Sequence, residues 1–151
     1  MDIYIRRARQ NEAGILTELA MSAKASWGYD QSFMDLCRPE LTLTPEKMAA
    51  CTIWVAECAG EVAGMAALAC DHQMAELEDF MVKPEFQRRG VGAALMAALT
   101  TECRARGLSR IGLDADPNAE PIYKRFGFST VGQSPSGSIP RRMLPRMERA
   151  I

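Results

Sequence analysis

Hydrophobic residues recur along the chain with two spacings, every second residue in some stretches and every third to fourth in others, as strands and helices require. Residues 2–7 alternate, with Ile3 and Ile5 on one side and Tyr4 and Arg6 on the other, and predict a short strand. Ile15, Leu16, Leu19 and Ala20 then share one face of a helix that Asn11 can cap and that reaches about Ala25. Ser26-Trp27-Gly28-Tyr29-Asp30 breaks that period, and Asp30 can cap a second helix bearing Phe33, Met34 and Cys37, with Pro39 as its expected end. Thr44-Pro45-Glu46 has the form of a further helix start, with Pro at the first helical position. Residues 52–58 and 62–70 read as the strands of a hairpin around the tight turn Ala59-Gly60-Glu61.

The stretch 77–96 holds the sharpest change of period. Leu77, Phe80, Met81 and Val82 form an apolar strand that Pro84, with no N–H to give a ladder, should end. Val91, Ala94, Leu95, Ala98 and Leu99 then follow helical spacing. Gly107 closes this helix after Arg104 and Arg106, cations at the negative end of its dipole. Beyond it come a strand at 110–115, a short helix at 118–126 capped by Asn118 or Asp116, a strand at 128–133, a loop at 134–138 and a last strand at 142–148. Pro145 would place that last strand at an edge or a bulge. The order β-α-α-β-β-β-α-β-α-β-β fits a mixed α/β fold, a mixed sheet with helices on both faces. No repeat or linker interrupts the 151 residues, and a single domain is expected.

Between the strand and the long helix lies Gln87-Arg88-Arg89-Gly90-Val91-Gly92. No Ser, Thr, Asp or Asn precedes the helix to cap its first N–H groups. Free N–H groups, the positive end of a helix dipole and two guanidinium groups together describe an anion site, most simply one for a pyrophosphate. A dinucleotide-binding fingerprint is weak here, because Leu95 stands where its third glycine would be, and a P-loop is excluded by the lack of Gly-Lys-Ser/Thr. Gln87-x-x-Gly90-x-Gly92 after Val82-Lys83-Pro84 resembles the acyl-CoA pyrophosphate loop of the GNAT superfamily of N-acetyltransferases. Downstream, Asp116-Pro117-Asn118-Ala119 followed by Ile122-Tyr123-Lys124-Arg125-Phe126-Gly127-Phe128 resembles the next motif of that family. Two motifs in order are far more specific than either alone.

The resemblance implies a mostly antiparallel sheet that splays open beside the acyl-CoA, between the strand at 77 and the strand at 110. It implies acetyl-CoA as co-substrate and direct transfer to a primary amine in a ternary complex. A domain that binds or senses acyl-CoA without catalysis is the alternative. The N–H groups of residues 88–93 would hold the pyrophosphate, with Gln87, Arg88, Arg89, Gly90, Val91, Gly92 and Ala93 all in that loop. The backbone of Met81, Val82 and Lys83, beside Phe80, would pair with the pantetheine arm like an added strand. Family members are often dimers, which makes a homodimer one option.

Composition narrows the partners. Lys+Arg is 18 against Asp+Glu 19, so a net charge of -1 gives no reason to expect nucleic acid. Cys37, Cys51, Cys58, Cys70 and Cys103 lack C-x-x-C spacing, and His72 is the single histidine, which disfavours a zinc site. The odd cysteine count suggests reduced thiols in a cytoplasmic protein. The N-terminus lacks the apolar run of a signal peptide, and no stretch approaches the length of a membrane span. His72, in a polar turn, is expected to face solvent.

Acyl transfer from a thioester must protonate a departing thiolate, and a Tyr, with an ordinary pKa of about 10, carries a proton to give. The resemblance puts the general acid at Tyr123, and at Asn118 the residue that contacts the pantetheine arm or its neighbouring water. The alternatives are a core ring for Tyr123 and a plain helix cap for Asn118. A primary amine is mostly protonated at neutral pH and needs a carboxylate to accept its proton. The resemblance makes Glu76 the first candidate, since the family often carries a glutamate at this distance before the glycines, and Glu78 is the second; the alternative is a carboxylate paired with an arginine at the sheet end. Charges on both faces of this strand call for a bulge that re-aims its side chains. The resemblance implies that the segment between the first two helices lines the acceptor pocket, where Trp27 and Tyr29, with Asp30, would suit a cationic amine; the alternative is a helix corner with Asp30 as its cap.

Overall fold

The computed structural model describes residues 2–71 and 73–151, so His72 lies outside the described residues. The strands are β1 (Ile3–Arg7), β2 (Thr52–Cys58), β3 (Glu61–Cys70), β4 (Met74–Val82), β5 (Arg110–Asp114), β6 (Ser129–Pro135) and β7 (Met143–Ala150). The helices are α1 (Ala13–Ala25), α2 (Gln31–Leu41), α3 (Pro45–Ala50), α4 (Val91–Ala105) and α5 (Glu120–Arg125). One sheet runs in the order β1-β2-β3-β4-β5-β7-β6, and only β4 and β5 pair in parallel. The turn between β2 and β3 is two residues, Ala59 and Gly60, both with positive φ of 53° and 78°, the pair of left-handed angles that matches the twist of a hairpin.

Strand β2 shows why the sheet carries helices on both faces. Ile53 and Val55 pack with Leu16 and Leu19 of α1, while Trp54, Ala56 and Cys58 pack with Leu95 and Leu99 of α4. Helix α4 approaches closely because Gly64 in β3 has no side chain: a Cβ there would lie 2.9 Å from the Met81 carbonyl oxygen and 3.0 Å from Val91. The helix ends as its cations and glycine suggest. Gly107, at φ 72°, donates to Arg104, and Leu108 donates back to Cys103, which closes the last turn.

Two features of β4 build the cleft described below. Its register against β3 passes from Asp79↔Ala67 to Leu77↔Leu68, so Glu78 is an extra residue and the strand bulges. The bulge changes which parity faces α4: Ala75 and Leu77 before it, Phe80 and Val82 after it. Second, β4 pairs with β5 only from Met74↔Arg110 to Glu76↔Gly112. Beyond that the two strands separate, β4 continuing to Val82 and β5 to Asp114.

Three local expectations change. Pro39 lies inside α2, whose end comes later, where the Thr42 N–H and hydroxyl both reach the Arg38 carbonyl. Asn11 sits within a short 3-10 turn (Gln10–Glu12) rather than capping α1; the carboxylate of Glu12 takes the Arg9 N–H at 2.7 Å instead. Pro145 is in an interior strand, since β7 lies between β5 and β6. Its carbonyl accepts from Ala115, just past the end of β5, so its missing N–H falls where β5 no longer pairs with β7.

Candidate active site

A cleft of about 960 Å³ runs along the separation of β4 from β5. At one end is the turn before α4. Arg88 and Gly90 have positive φ, 63° and 88°, which folds the backbone so that successive N–H groups converge. The first hydrogen bond of α4 runs from Ala94 to Gly90 at 3.0 Å. No backbone acceptor among the described residues takes the N–H groups of residues 88–93. Gln87, Arg88, Gly90, Gly92 and Ala93 line this end. Arg89 does not, and the Val91 side chain is 1% exposed in the core, so only its backbone can serve an anion. Lys83 turns away to Glu61.

Along the middle, β4 presents an unpaired edge. The Lys83 N–H bonds to Ala63 of β3 at 2.8 Å, and alternation therefore turns Met81 and Lys83 toward β3 but Phe80 and Val82 toward the opening. The Val82 carbonyl accepts from the Gln87 amide at 3.3 Å, as that direction requires. Of the three residues expected to offer backbone to a ligand, Val82 has its peptide groups on the open side, as Phe80 does, and Met81 and Lys83 are committed to the sheet.

Across the opening stands Tyr123, on α5. Its ring packs against Phe80 and Phe128, each with centroids 5.9 Å apart. Its hydroxyl has no hydrogen-bond partner among the described residues, although it lines the cleft. Burial pushes the pKa of this phenol well above its ordinary value, and the carboxylates of Asp79 and Asp116 push the same way.

The carboxylates of β4 have three different fates. Glu76 is held by Arg146 through two short contacts, Nη1 to Oε2 at 2.7 Å and Nη2 to Oε1 at 2.9 Å. Arg146 reaches it across β5 above Gly112, where any side chain would collide with the guanidinium group and with Met74. The first candidate base is thus a paired carboxylate. Glu78, the bulge residue, is exposed on the cleft wall and has neither ion pair nor hydrogen bond among the described residues. Asp79 is buried, 2.7 Å from Lys47 of α3; burial raises its pKa, and the lysine opposes that rise.

At the far end Trp27 is in the cleft wall, but Tyr29 is not. The Tyr29 ring stacks on Phe33 at 4.0 Å, and its hydroxyl bonds to Asp116, Arg142 and Asn118. Asp116 also holds Lys24 at 2.7 Å and the Asn118 N–H at 2.8 Å. Burial would raise the Asp116 pKa, yet these partners, Lys24 foremost, hold it below its ordinary value. Lys24, Lys47, Asp79, Asp116 and Arg142 were not singled out by sequence for this site. The only signal was indirect: charges on both faces of this strand, Asp79 among them, called for a bulge. Among the described residues, no His, Cys, Asp and Glu group is arranged to hold a metal, and no helix is long and apolar enough to cross a membrane.

Solved structures share this arrangement of strands. The PaiA N-acetyltransferase of Thermoplasma acidophilum, in complex with coenzyme A, superposes with a TM-score of 0.84 over all of both chains at 17% identity. A GNAT family acetyltransferase from Elizabethkingia anophelis with acetyl-CoA bound gives 0.70 over 99% of this chain and 98% of that one, at 13% identity. Among curated proteins, the uncharacterized N-acetyltransferase YafP of Escherichia coli (strain K12) is 34% identical over 88 residues, 58% of this chain. Serotonin N-acetyltransferase 2, chloroplastic, of Oryza sativa subsp. japonica is 37% identical over 51 residues, 34% of this chain. The chain spans 53% of the first relative's length and 26% of the second's. Residues 28–137, a range that includes the β4 bulge, the uncapped turn before α4 and Tyr123, match the acetyltransferase (GNAT) domain, and the chain belongs to that family.

Proposed function

We propose that the protein is an N-acetyltransferase that moves an acetyl group from acetyl-CoA to a primary amine by direct attack in a ternary complex. The observation that carries this reading is the β4–β5 opening itself, with N–H groups at one end and a tyrosine hydroxyl at its middle that have no partner among the described residues. The residues fit the ligand. Six backbone N–H groups, at residues 88–93, would hold the pyrophosphate, with Arg88 beside them. The open edge of Phe80 and Val82 would pair with pantetheine amides. Acetyl-CoA supplies the activated acyl group, a thioester whose carbonyl carbon an amine can attack.

The chain's own work is then positioning and proton transfer. Glu78 takes a proton from the incoming ammonium through water, since it is the β4 carboxylate free of a cation. Glu76, fixed by Arg146, ties β4 to β7 across β5 at the point where β4 and β5 part. Tyr123 stays protonated across the working range, because burial and two nearby carboxylates raise its pKa. It gives that proton to the thiolate as the C–S bond breaks. Trp27 borders the acceptor end.

The test is binding. A side chain at Gly92 points into the cleft, and a Cβ there meets only Phe80 at 3.6 Å and Phe126 at 3.8 Å, so a substitution leaves the fold intact. Gly92→Asp adds bulk and negative charge where the pyrophosphate should lie. Calorimetry should find acetyl-CoA bound by the native protein and not measurably by the variant. Equal affinities would remove the loop from the site.

A further inference from the structure

The hydrogen bonds around Asn118 admit one solution. A carboxylate only accepts, so Asp116 takes the proton of the Tyr29 hydroxyl at 2.9 Å and an N–H of the Asn118 side-chain amide at 3.0 Å. A tyrosine hydroxyl has one proton and two lone pairs. With the proton given to Asp116, both lone pairs are free to accept, and Arg142 at 2.5 Å and Asn118 Nδ2 at 2.9 Å fill them. Both protons of the Asn118 amide nitrogen are then used. A flipped amide would set its oxygen against the Asp116 carboxylate, and could keep the Tyr29 contact only by taking the hydroxyl proton away from Asp116. The amide oxygen Oδ1 is left without a partner among the described residues, on a side chain that lines the cleft.

Neither Tyr29 nor its ring faces that cleft, and Asp116 is fully engaged by Lys24, Tyr29 and the Asn118 backbone. The network is braced from four directions. Lys24 comes from the end of α1, Tyr29 from the turn before α2, Asp116 from the end of β5, and Arg142 from the segment before β7. Arg142 also lies over the rings of Tyr29 and Phe33, 5.1 and 4.9 Å from their centroids.

We infer that Tyr29 and Asp116 are positioning residues that lock the Asn118 amide with its oxygen toward the cleft, where it accepts a hydrogen bond from an N–H of the pantetheine arm. This rests on the acyl-CoA reading above and adds to it a role for two residues that act through the Asn118 amide. It also gives Tyr29 a part in the site other than lining the acceptor pocket.

The test is a double-mutant cycle read as acetyl-CoA affinity, with Tyr29→Phe, Asn118→Ala and the pair of changes together. Tyr29→Phe keeps the ring and its stacking on Phe33, and thermal unfolding checks that each variant is folded. One ligand hydrogen bond is worth a factor of about three to ten in affinity, so each single change should weaken binding by about that factor. The double variant should bind no more weakly than Asn118→Ala alone, because the hydroxyl acts only through that amide. A general loosening of the cleft by Tyr29→Phe would instead weaken Asn118→Ala further, and multiplied losses would overturn the inference. So would full affinity in folded Tyr29→Phe beside a loss in Asn118→Ala. Should the native protein fail to bind acetyl-CoA at all, the acyl-CoA reading falls and takes this one with it.

Discussion

Glu76 and Glu78 show how far single residues can be read. Both are carboxylates two apart on one strand, and alternation alone places them on the same face and leaves their roles open. What separates them is Arg146, 70 residues away in sequence, which reaches Glu76 over Gly112 and leaves Glu78 alone. A partner at that separation has no local signature, whereas the need for a bulge was legible, because charges on both faces of a central strand demanded one. The two glutamates should differ in their pH behaviour. In Glu78→Gln, kcat/KM should fall most at neutral pH and recover in part at alkaline pH, where more of the amine is already neutral. Glu76→Gln removes a charge from the Arg146 pair and should lower the rate by a similar factor at every pH, with a lower Tm. The reverse pattern in rate-against-pH profiles would restore Glu76 as the base.

At the scale of elements, strands and helices follow periodicity closely, and the failures lie at prolines and caps. Pro39 and Pro145 were read by the local rule that proline ends an element. Pro39 instead sits inside α2, which continues to Leu41, and the missing N–H of Pro145 falls beyond the end of β5. Asn11 does not cap α1, which starts from the 3-10 turn without a side-chain cap, and the Glu12 side chain reaches back to the Arg9 N–H and the Arg6 guanidinium together. The contact between α4 and the sheet rests on a residue that sequence left unremarked, Gly64. A Cβ there would press on the Met81 carbonyl, which the β3–β4 ladder holds in place. Gly64→Ala should therefore destabilise the protein by about 1–3 kcal/mol, the usual effect of overpacking, in urea unfolding. Unchanged stability would mean that α4 can shift outward freely, and the anchoring of its N-terminal turn would need another explanation.

For the whole molecule, buried charge fixes the β1 edge of the sheet. Arg6 of β1 grips Glu12 at 2.6 Å and Glu57 of β2 at 3.4 Å, tying the edge strand to the start of α1. Arg6 lowers the Glu12 pKa from 4.5 to about 2, against the opposing effect of burial. A depressed carboxylate pKa stabilises the fold above its unfolded value and loses that contribution as pH falls through the folded one. Native protein should therefore exceed Glu12→Gln in stability by on the order of 2–3 kcal/mol at pH 7, and the gap should close between pH 4.5 and pH 2. A gap that stays constant with pH would show that the carboxylate acts by shape rather than by charge. The opening itself was legible as a family trait, through two motifs on either side of it. Its far end was not, because Lys24, Lys47, Asp116 and Arg142 line the cleft from four separate stretches of chain with no spacing to announce them.

The central claim is chemical, that Tyr123 delivers a proton to a departing thiolate across this opening. Its direct test is steady-state release of free coenzyme A from acetyl-CoA with a panel of primary amines, for native protein and Tyr123→Phe. The substitution keeps the ring against Phe80 and Phe128 and removes only the hydroxyl. With an amine that the native protein accepts, kcat should fall by about 10²- to 10⁴-fold while KM for acetyl-CoA moves little. Full kcat in Tyr123→Phe would contradict the assignment of the acid. Binding of acetyl-CoA without release by any amine would contradict catalysis itself and leave a domain that only holds the ligand.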